Sequence, residues 1–197
     1  ESLDVPYIHL GTDETDFTDE LFVPEMVEHV RSLGKKAIAW NPGWPFKSKE
    51  VDLLHLWSSK GRIVYGTPAI DSRYHYLNHY DLFADIQMLY SSKILGVTAS
   101  NTNVMGAILA VWNDRYVESP RAIMQENAVY PNMLALAERA WLGGGAGYFN
   151  APTAALSPEA SAETREAFVD FERRLLWHKD HVFAGEPFPY VAQSHAQ

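Results

Sequence analysis

Tyr7-Ile8-His9-Leu10-Gly11-Thr12-Asp13-Glu14 is the stretch whose reading decides the fold. Val5 to Leu10 has the length and apolar character of a short buried strand, and Gly11 breaks it into a turn presenting two adjacent carboxylates. In α/β proteins, residues just past the C-terminal end of a parallel strand are where reacting groups are placed. An Asp-Glu pair there can orient a substrate with one carboxyl and move a proton with the other. Thr12, Asp13 and Thr15 also suit the N-cap of a helix, and judged alone, adjacent acids in a turn favour that reading.

Working outward, Pro24 to Leu33 places Met26, Val27, Val30 and Leu33 near helical spacing and stops at Gly34. Lys36 to Trp40 reads as a second strand followed by the loop Asn41-Pro42-Gly43-Trp44-Pro45, which completes a strand–helix–strand unit of the size parallel pairing needs. Val51 to Trp57 predicts a third strand and Arg62 to Ala69 a fourth, with only Ser58 to Gly61 between them, too few for a crossover helix. Leu82 to Tyr90 is read as helical, and Gly106 to Trp112 as the clearest buried strand of the second half. Pro120 to Trp141 predicts a long helix that Pro131 kinks or divides. Ala162 to His181 predicts a final amphipathic helix with Phe168, Phe171, Leu175 and Leu176 on one stripe. The expected result is a parallel α/β sheet with strand ends at Leu10, Trp40, Trp57, Ala69 and Trp112.

Composition narrows the function. The 197 residues are 47% hydrophobic and 21% charged, a globular rather than a disordered composition. A formal net charge of -9 argues against a nucleic-acid partner, which calls for basic surface. Without cysteine there are no disulfides and no thiolate zinc sites. No apolar run has the length of a membrane span. Glu1 to Asp4 leads almost at once into a strand, from which further upstream elements are expected.

Three of the expected strand ends carry tryptophan: Trp40, Trp57 and Trp112. The C-terminal ends of parallel strands face one cleft, so these indoles would line one pocket beside the acids, as in sites that cleave carbohydrate. Here the sequence resembles a known family. His9-Leu10-Gly11-Thr12-Asp13-Glu14 is similar to the His-x-Gly-Gly-Asp-Glu signature of the family-20 glycoside hydrolases, the β-N-acetylhexosaminidases, with Thr12 in place of the second glycine. Trp40 stands where that family has a strand-end tryptophan, and His75-Tyr76-Leu77-Asn78 resembles its Trp-Tyr-Leu-Asn segment. Trp112-Asn113-Asp114 resembles Trp-x-Glu with a shorter acid, and Ala137-Glu138-Arg139-Ala140-Trp141 matches Ala-Glu-Arg-x-Trp.

The resemblance implies a (β/α)8 barrel of TIM type, of which this chain holds the second half, about strands 4 to 8. Residues 1–142 would form that half-barrel, 143–160 a Gly/Pro-rich connecting loop, and 161–197 a C-terminal helix and tail. It also implies removal of terminal β-linked N-acetylglucosamine or N-acetylgalactosamine from glycans with retention, the substrate's acetamido oxygen acting as nucleophile. Glu14 would be general acid and then base, a role that calls for a carboxyl shielded against indole faces. Asp13 would hold the acetamido N–H, and Tyr76 its carbonyl oxygen. Trp40, Trp57 and Trp112 would wall the sugar, and Asp114 would bind its hydroxyls. His9 is read as a buried, hydrogen-bonded orienting group, and His75 and His79 as a cleft rim. Trp44 would rim a further subsite or cap the core, and Glu138 and Arg139 would form a structural ion pair. No metal or organic cofactor is implied, and a secreted or periplasmic location is. A second expectation, from another class, is a non-catalytic half-barrel that binds amino sugars or self-associates through open sheet edges.

Overall fold

The computed structural model describes residues 4–77, 85–97, 102–112, 116–147, 150–151 and 154–194. The chain forms two compact units, Glu1–Tyr74 with Asn101–Ile108, and His75–Ser100 with Leu109–Gln197.

The first unit holds a five-stranded, wholly parallel sheet of β1 (Tyr7–His9), β2 (Lys36–Asn41), β3 (Leu53–Leu56), β4 (Ala69–Asp71) and β5 (Val104–Ala107). The strands lie side by side in chain order, the arrangement that successive crossovers of one hand produce. The protein is therefore α/β with a parallel sheet. Between β1 and β2 runs α1 (Phe22–Ser32), which buries Val23, Val27 and Val30 at spacings of four and three residues. Pro24 falls in its first turn, where a missing N–H costs nothing. Leu33, expected on the buried stripe, is the exposed C-cap residue instead. Arg31 of α1 forks onto Asp52 at 3.3 and 3.2 Å, and Asp52 accepts the Ala37 N–H at 2.9 Å. One carboxylate thus ties the helix to the start of β2.

Two strands lie elsewhere than the sequence predicts. Residues 62–68 are not a strand; β4 begins at Ala69, where the fourth strand was expected to end. Gly66 has φ of 80° and Pro68 offers no N–H, so that segment turns rather than pairs. Residues 57–68 then supply the length that a parallel crossover needs, which removes the difficulty of the short connection. β5 covers Val104–Ala107, not Gly106–Trp112, and its residues are half-buried or exposed. Its apolar side chains are fewer than the run to Trp112 implied, because the run divides between the two units after Ile108.

The second unit is helical: α2 (Ile86–Ser91), α3 (Pro120–Glu126), α4 (Val129–Leu142) and α5 (Ala162–His181). Residues 82–84 of the expected helix before Tyr90 lie outside the described residues. Asp85 caps α2 by accepting the Met88 N–H at 3.0 Å. The helix expected over 120–141 is two helices. A proline ring clashes with the carbonyl four residues back, here Asn127, and α3 ends there, with Ala128 left-handed at φ 49°. The glycine-rich segment returns to the end of α2: Lys93 N–H donates to the Ala146 carbonyl at 2.8 Å, and Ala146 N–H to the Ser91 carbonyl at 2.7 Å. A Cβ on Gly145 would lie 2.6 Å from the Ser91 carbonyl, so only glycine permits this approach.

α5 runs from Ala162 to His181 as its apolar stripe predicts. Ser161 accepts the Thr164 N–H at 3.1 Å, and His178, Lys179 and His181 complement the carbonyl end of the dipole. Ser161→Ala is expected to cost about 1 kcal/mol, read as a lower urea midpoint at unchanged slope. Phe168, Phe171 and Leu175 join Ile86, Leu89, Tyr90, Ala135, Phe188 and Tyr190 in one core. Glu172 lies within the buried stripe at 1% exposure. Burial raises its pKa, but Ser194, the Tyr190 hydroxyl and the Gln193 and Ser194 N–H groups outweigh that and hold it below the ordinary glutamate value. Glu138 and Arg139 do not pair with each other. Glu138 meets Arg174 at 2.6 and 3.1 Å, while Arg139 donates to the Tyr90 and Gly143 carbonyls.

Candidate active site

The turn that carries the acids leaves the C-terminal end of β1 in an uncommon backbone. Gly11, Thr12 and Glu14 have φ of 82°, 86° and 46°. Left-handed backbone is natural for glycine and a true outlier for a β-branched residue such as threonine. Such strain persists only where surroundings over-determine it. Here the β2 end does so. Trp40 N–H donates to the Gly11 carbonyl at 2.8 Å and Trp44 N–H to the Thr12 carbonyl at 3.2 Å. Gly43 packs so closely that a Cβ there would overlap the Thr12 carbonyl. Thr12, which stands in place of the signature's second glycine, is buried in this turn.

A three-ring cluster stands beside this turn. His9 lies 4.5 Å from Trp40, and Trp40 lies 4.1 Å from His55. The imidazoles are 5.7 Å apart, too close for the indole to lie between them, so the rings meet as a triangle. Gly11 N–H donates to His9 Nδ1 at 3.0 Å. His9 is thus hydrogen-bonded, as expected, but it is exposed rather than buried, on a strand with β2 as its partner. Desolvation lowers its pKa against the opposing pull of the Asp13 carboxylate. His55 is 5% exposed, and desolvation with His9 nearby pushes its pKa down to about 4, with Asp71 opposing.

Asp13 is half-buried, near enough for its charge to act on His9. Glu14 is exposed, which differs from the shielded carboxyl that the sequence reading calls for. Trp40 and Trp57 are both half-buried at the ends of β2 and β3. The Trp57 indole N–H donates to the Pro42 carbonyl at 2.8 Å, so this ring secures the β2 loop. Trp44 packs edge-on against Phe17 at 5.6 Å.

Tyr76 and Trp112 belong to the second unit. There, Tyr76 bridges in parallel to Ala110, with Leu77 N–H donating to the Ala110 carbonyl and Ala110 N–H to that of His75, both at 2.8 Å. Trp112 follows two residues later and is 49% exposed. His75 is buried and forms no rim. His79 and Asp114 lie outside the described residues. Among the described residues no cluster of acids and histidines could hold a metal ion, and no helix is long and apolar enough to cross a membrane.

Sequence reasoning missed His55 and Ser72. The signal was a histidine inside Leu53-Leu54-His55-Leu56, because a polar group in a fully buried strand must find a partner. His55 Nε2 finds Ser72 Oγ at 2.8 Å, and Ser72 donates to the Ile108 carbonyl at 2.8 Å. The depressed pKa sets a pH dependence. Between pH 6.5 and about 4 the unfolded chain takes up a proton that folded His55 refuses. Stability therefore falls as pH drops through that window, by about 3 kcal/mol in all, and the loss levels off below it. Urea unfolding at a series of pH values checks this; the slope attributable to His55 vanishes in His55→Phe.

No protein-family model matches the chain, and no curated protein matches it.

Proposed function

We propose that the acid-bearing turn is the proton-transfer centre of a retaining β-N-acetylhexosaminidase, on the second half of a (β/α)8 barrel. The observation that carries this is the fastening of Gly11 and Thr12, which lead into Asp13-Glu14, to the indole-bearing end of the neighbouring parallel strand through the Trp40 and Trp44 backbone N–H groups. Adjacent carboxylates beside an aromatic face suit glycoside cleavage. The five parallel strands in chain order fit a segment of such a barrel.

In this reading the acetamido carbonyl oxygen attacks the anomeric carbon as the glycosidic bond breaks. Glu14 gives its proton to the departing oxygen. Asp13 accepts the acetamido N–H and stabilises the cationic ring that forms. Glu14, now a carboxylate, takes a proton from the water that opens the ring, which restores both acids. Trp40 and Trp57 wall the sugar, and enclosure of the acetamido group brings its oxygen into attack geometry. The substrates are glycans ending in N-acetylglucosamine or N-acetylgalactosamine.

The test is hydrolysis of an aryl N-acetyl-β-glucosaminide by the full-length protein, with product stereochemistry followed by NMR. Release of the β-anomer is expected; release of the α-anomer, or no turnover, overturns the reading. A second reading, a non-catalytic module that binds amino sugars or self-associates, is favoured by the sheet edges: among the described residues β1 pairs only with β2, and β5 only with β4. A dimer by light scattering that binds N-acetylglucosamine without turnover would establish it.

A further inference from the structure

We propose that His55 and Ser72 are positioning residues for the acid-bearing turn, holding Trp40 against His9 so that His9 can accept the Gly11 N–H. Neither belongs to the motifs on which the family resemblance rests. The inference that they serve catalysis rests on the hexosaminidase reading; the clamp itself does not.

The hydrogen positions follow from the geometry. Ser72 has one hydroxyl hydrogen, and the Ile108 carbonyl, at 2.8 Å, can only accept it. Ser72 Oγ must then accept from His55, so His55 carries a proton on Nε2, and burial, with His9 nearby, disfavours a second one on Nδ1. Oriented from behind in this way, the buried imidazole presents a fixed face to the indole 4.1 Å away. The indole meets His9 at 4.5 Å. His9 in turn must keep Nδ1 unprotonated to accept the Gly11 N–H at 3.0 Å. The path from the Ile108 carbonyl to Gly11 thus crosses β4, β3, β2 and β1, and ends two residues before Asp13.

Each ring in the path works neutral. His55 faces His9 from β1 and Asp71 from β4, while Asp13 from the turn faces His9. Two imidazoles 5.7 Å apart disfavour a second charge once one has formed. Protonation of His9 on Nδ1 would remove the acceptor of the Gly11 N–H and release the first left-handed residue of the turn. The device therefore ties the placement of the acids to the uncharged state of His9.

The experiment uses the full-length protein and the variants His55→Phe, Ser72→Ala and the double variant, with ¹⁵N NMR of the Gly11 amide and the Trp40 indole N–H, and with kcat and KM on an aryl N-acetyl-β-glucosaminide. Each single variant is expected to move the Gly11 resonance and to lower kcat about tenfold with KM within about twofold, the size of a mispositioning effect. The double variant is expected to be no slower than the worse single, because the residues act in series. A Gly11 resonance unmoved in both single variants overturns the proposal, and so does a double-variant loss equal to the product of the singles. Ser72→Ala removes only one oxygen, so it decides the matter should His55→Phe fail to fold. Absence of any turnover by the wild-type protein would defeat the hexosaminidase reading, while the two resonances would still decide the clamp.

Discussion

Glu14→Gln in the full-length protein is expected to lower kcat on an alkyl N-acetyl-β-glucosaminide by about 10²–10⁴-fold, the usual worth of a positioned general acid–base. Glutamine matches the shape of glutamate and keeps a polar tip, but it can neither release a proton to the departing oxygen nor take one from water. Glu14 is exposed, and among the described residues its side chain contributes no hydrogen bond to the turn, which is anchored by the Gly11 and Thr12 carbonyls and the Thr12 hydroxyl. Stability should accordingly stay within about 0.5 kcal/mol of wild type, as for other surface substitutions. The leaving group sharpens the test. A nitrophenolate departs without an acid, so its release should suffer less in the first step than an alkoxide's. Hydrolysis of both at wild-type rates would remove Glu14 from the chemistry.

Phe168→Ala is expected to destabilise the second unit by about 3–5 kcal/mol, the range for deleting a large buried ring. Phe168 is fully buried on α5, 5.3 Å from Tyr90 in edge contact and 6.3 Å from Phe171. Its removal withdraws contacts from α2 and α5 together, and the rings around it are held by other partners. Tyr90 stacks on Phe171 at 4.8 Å and lies 5.3 Å beneath the Arg139 guanidinium. Neighbours so constrained cannot collapse into the space, which puts the cost toward the upper end of that range. A urea midpoint within about 0.5 kcal/mol of wild type would show that the ring is not packed as described.

Local pattern was enough for those features whose cause is local. The helix over Ala162–His181 follows from its stripe, with the Ser161 cap three residues before Thr164. The division of the following-to-preceding pair α3 and α4 follows from the reach of one proline ring to the Asn127 carbonyl. The strand–helix–strand unit from Tyr7 to Asn41, and hence a parallel sheet, follows from a change of period from two to 3.6 and back. The acid-bearing turn at a strand end was legible for the same reason, since Gly11 marks where the strand must stop.

Other features needed residues distant in the chain. Whether Arg62–Pro68 or Ala69–Asp71 forms β4 is decided by which backbone meets Leu54 to Leu56, and both segments carry apolar residues that could serve. Glu138 finds Arg174, and Arg139 finds Tyr90 across 49 positions, although their adjacency suggested one pair. The His55–Ser72–Ile108 path spans separations of 17 and 36 residues. The sequence by itself determined the periodicities and the strand–helix–strand opening of the chain, because neighbours along the backbone settle these. Tertiary structure alone decided strand register, the exposure of Glu14 and the partners of buried polar groups, because each depends on which distant surface closes over it and excludes water.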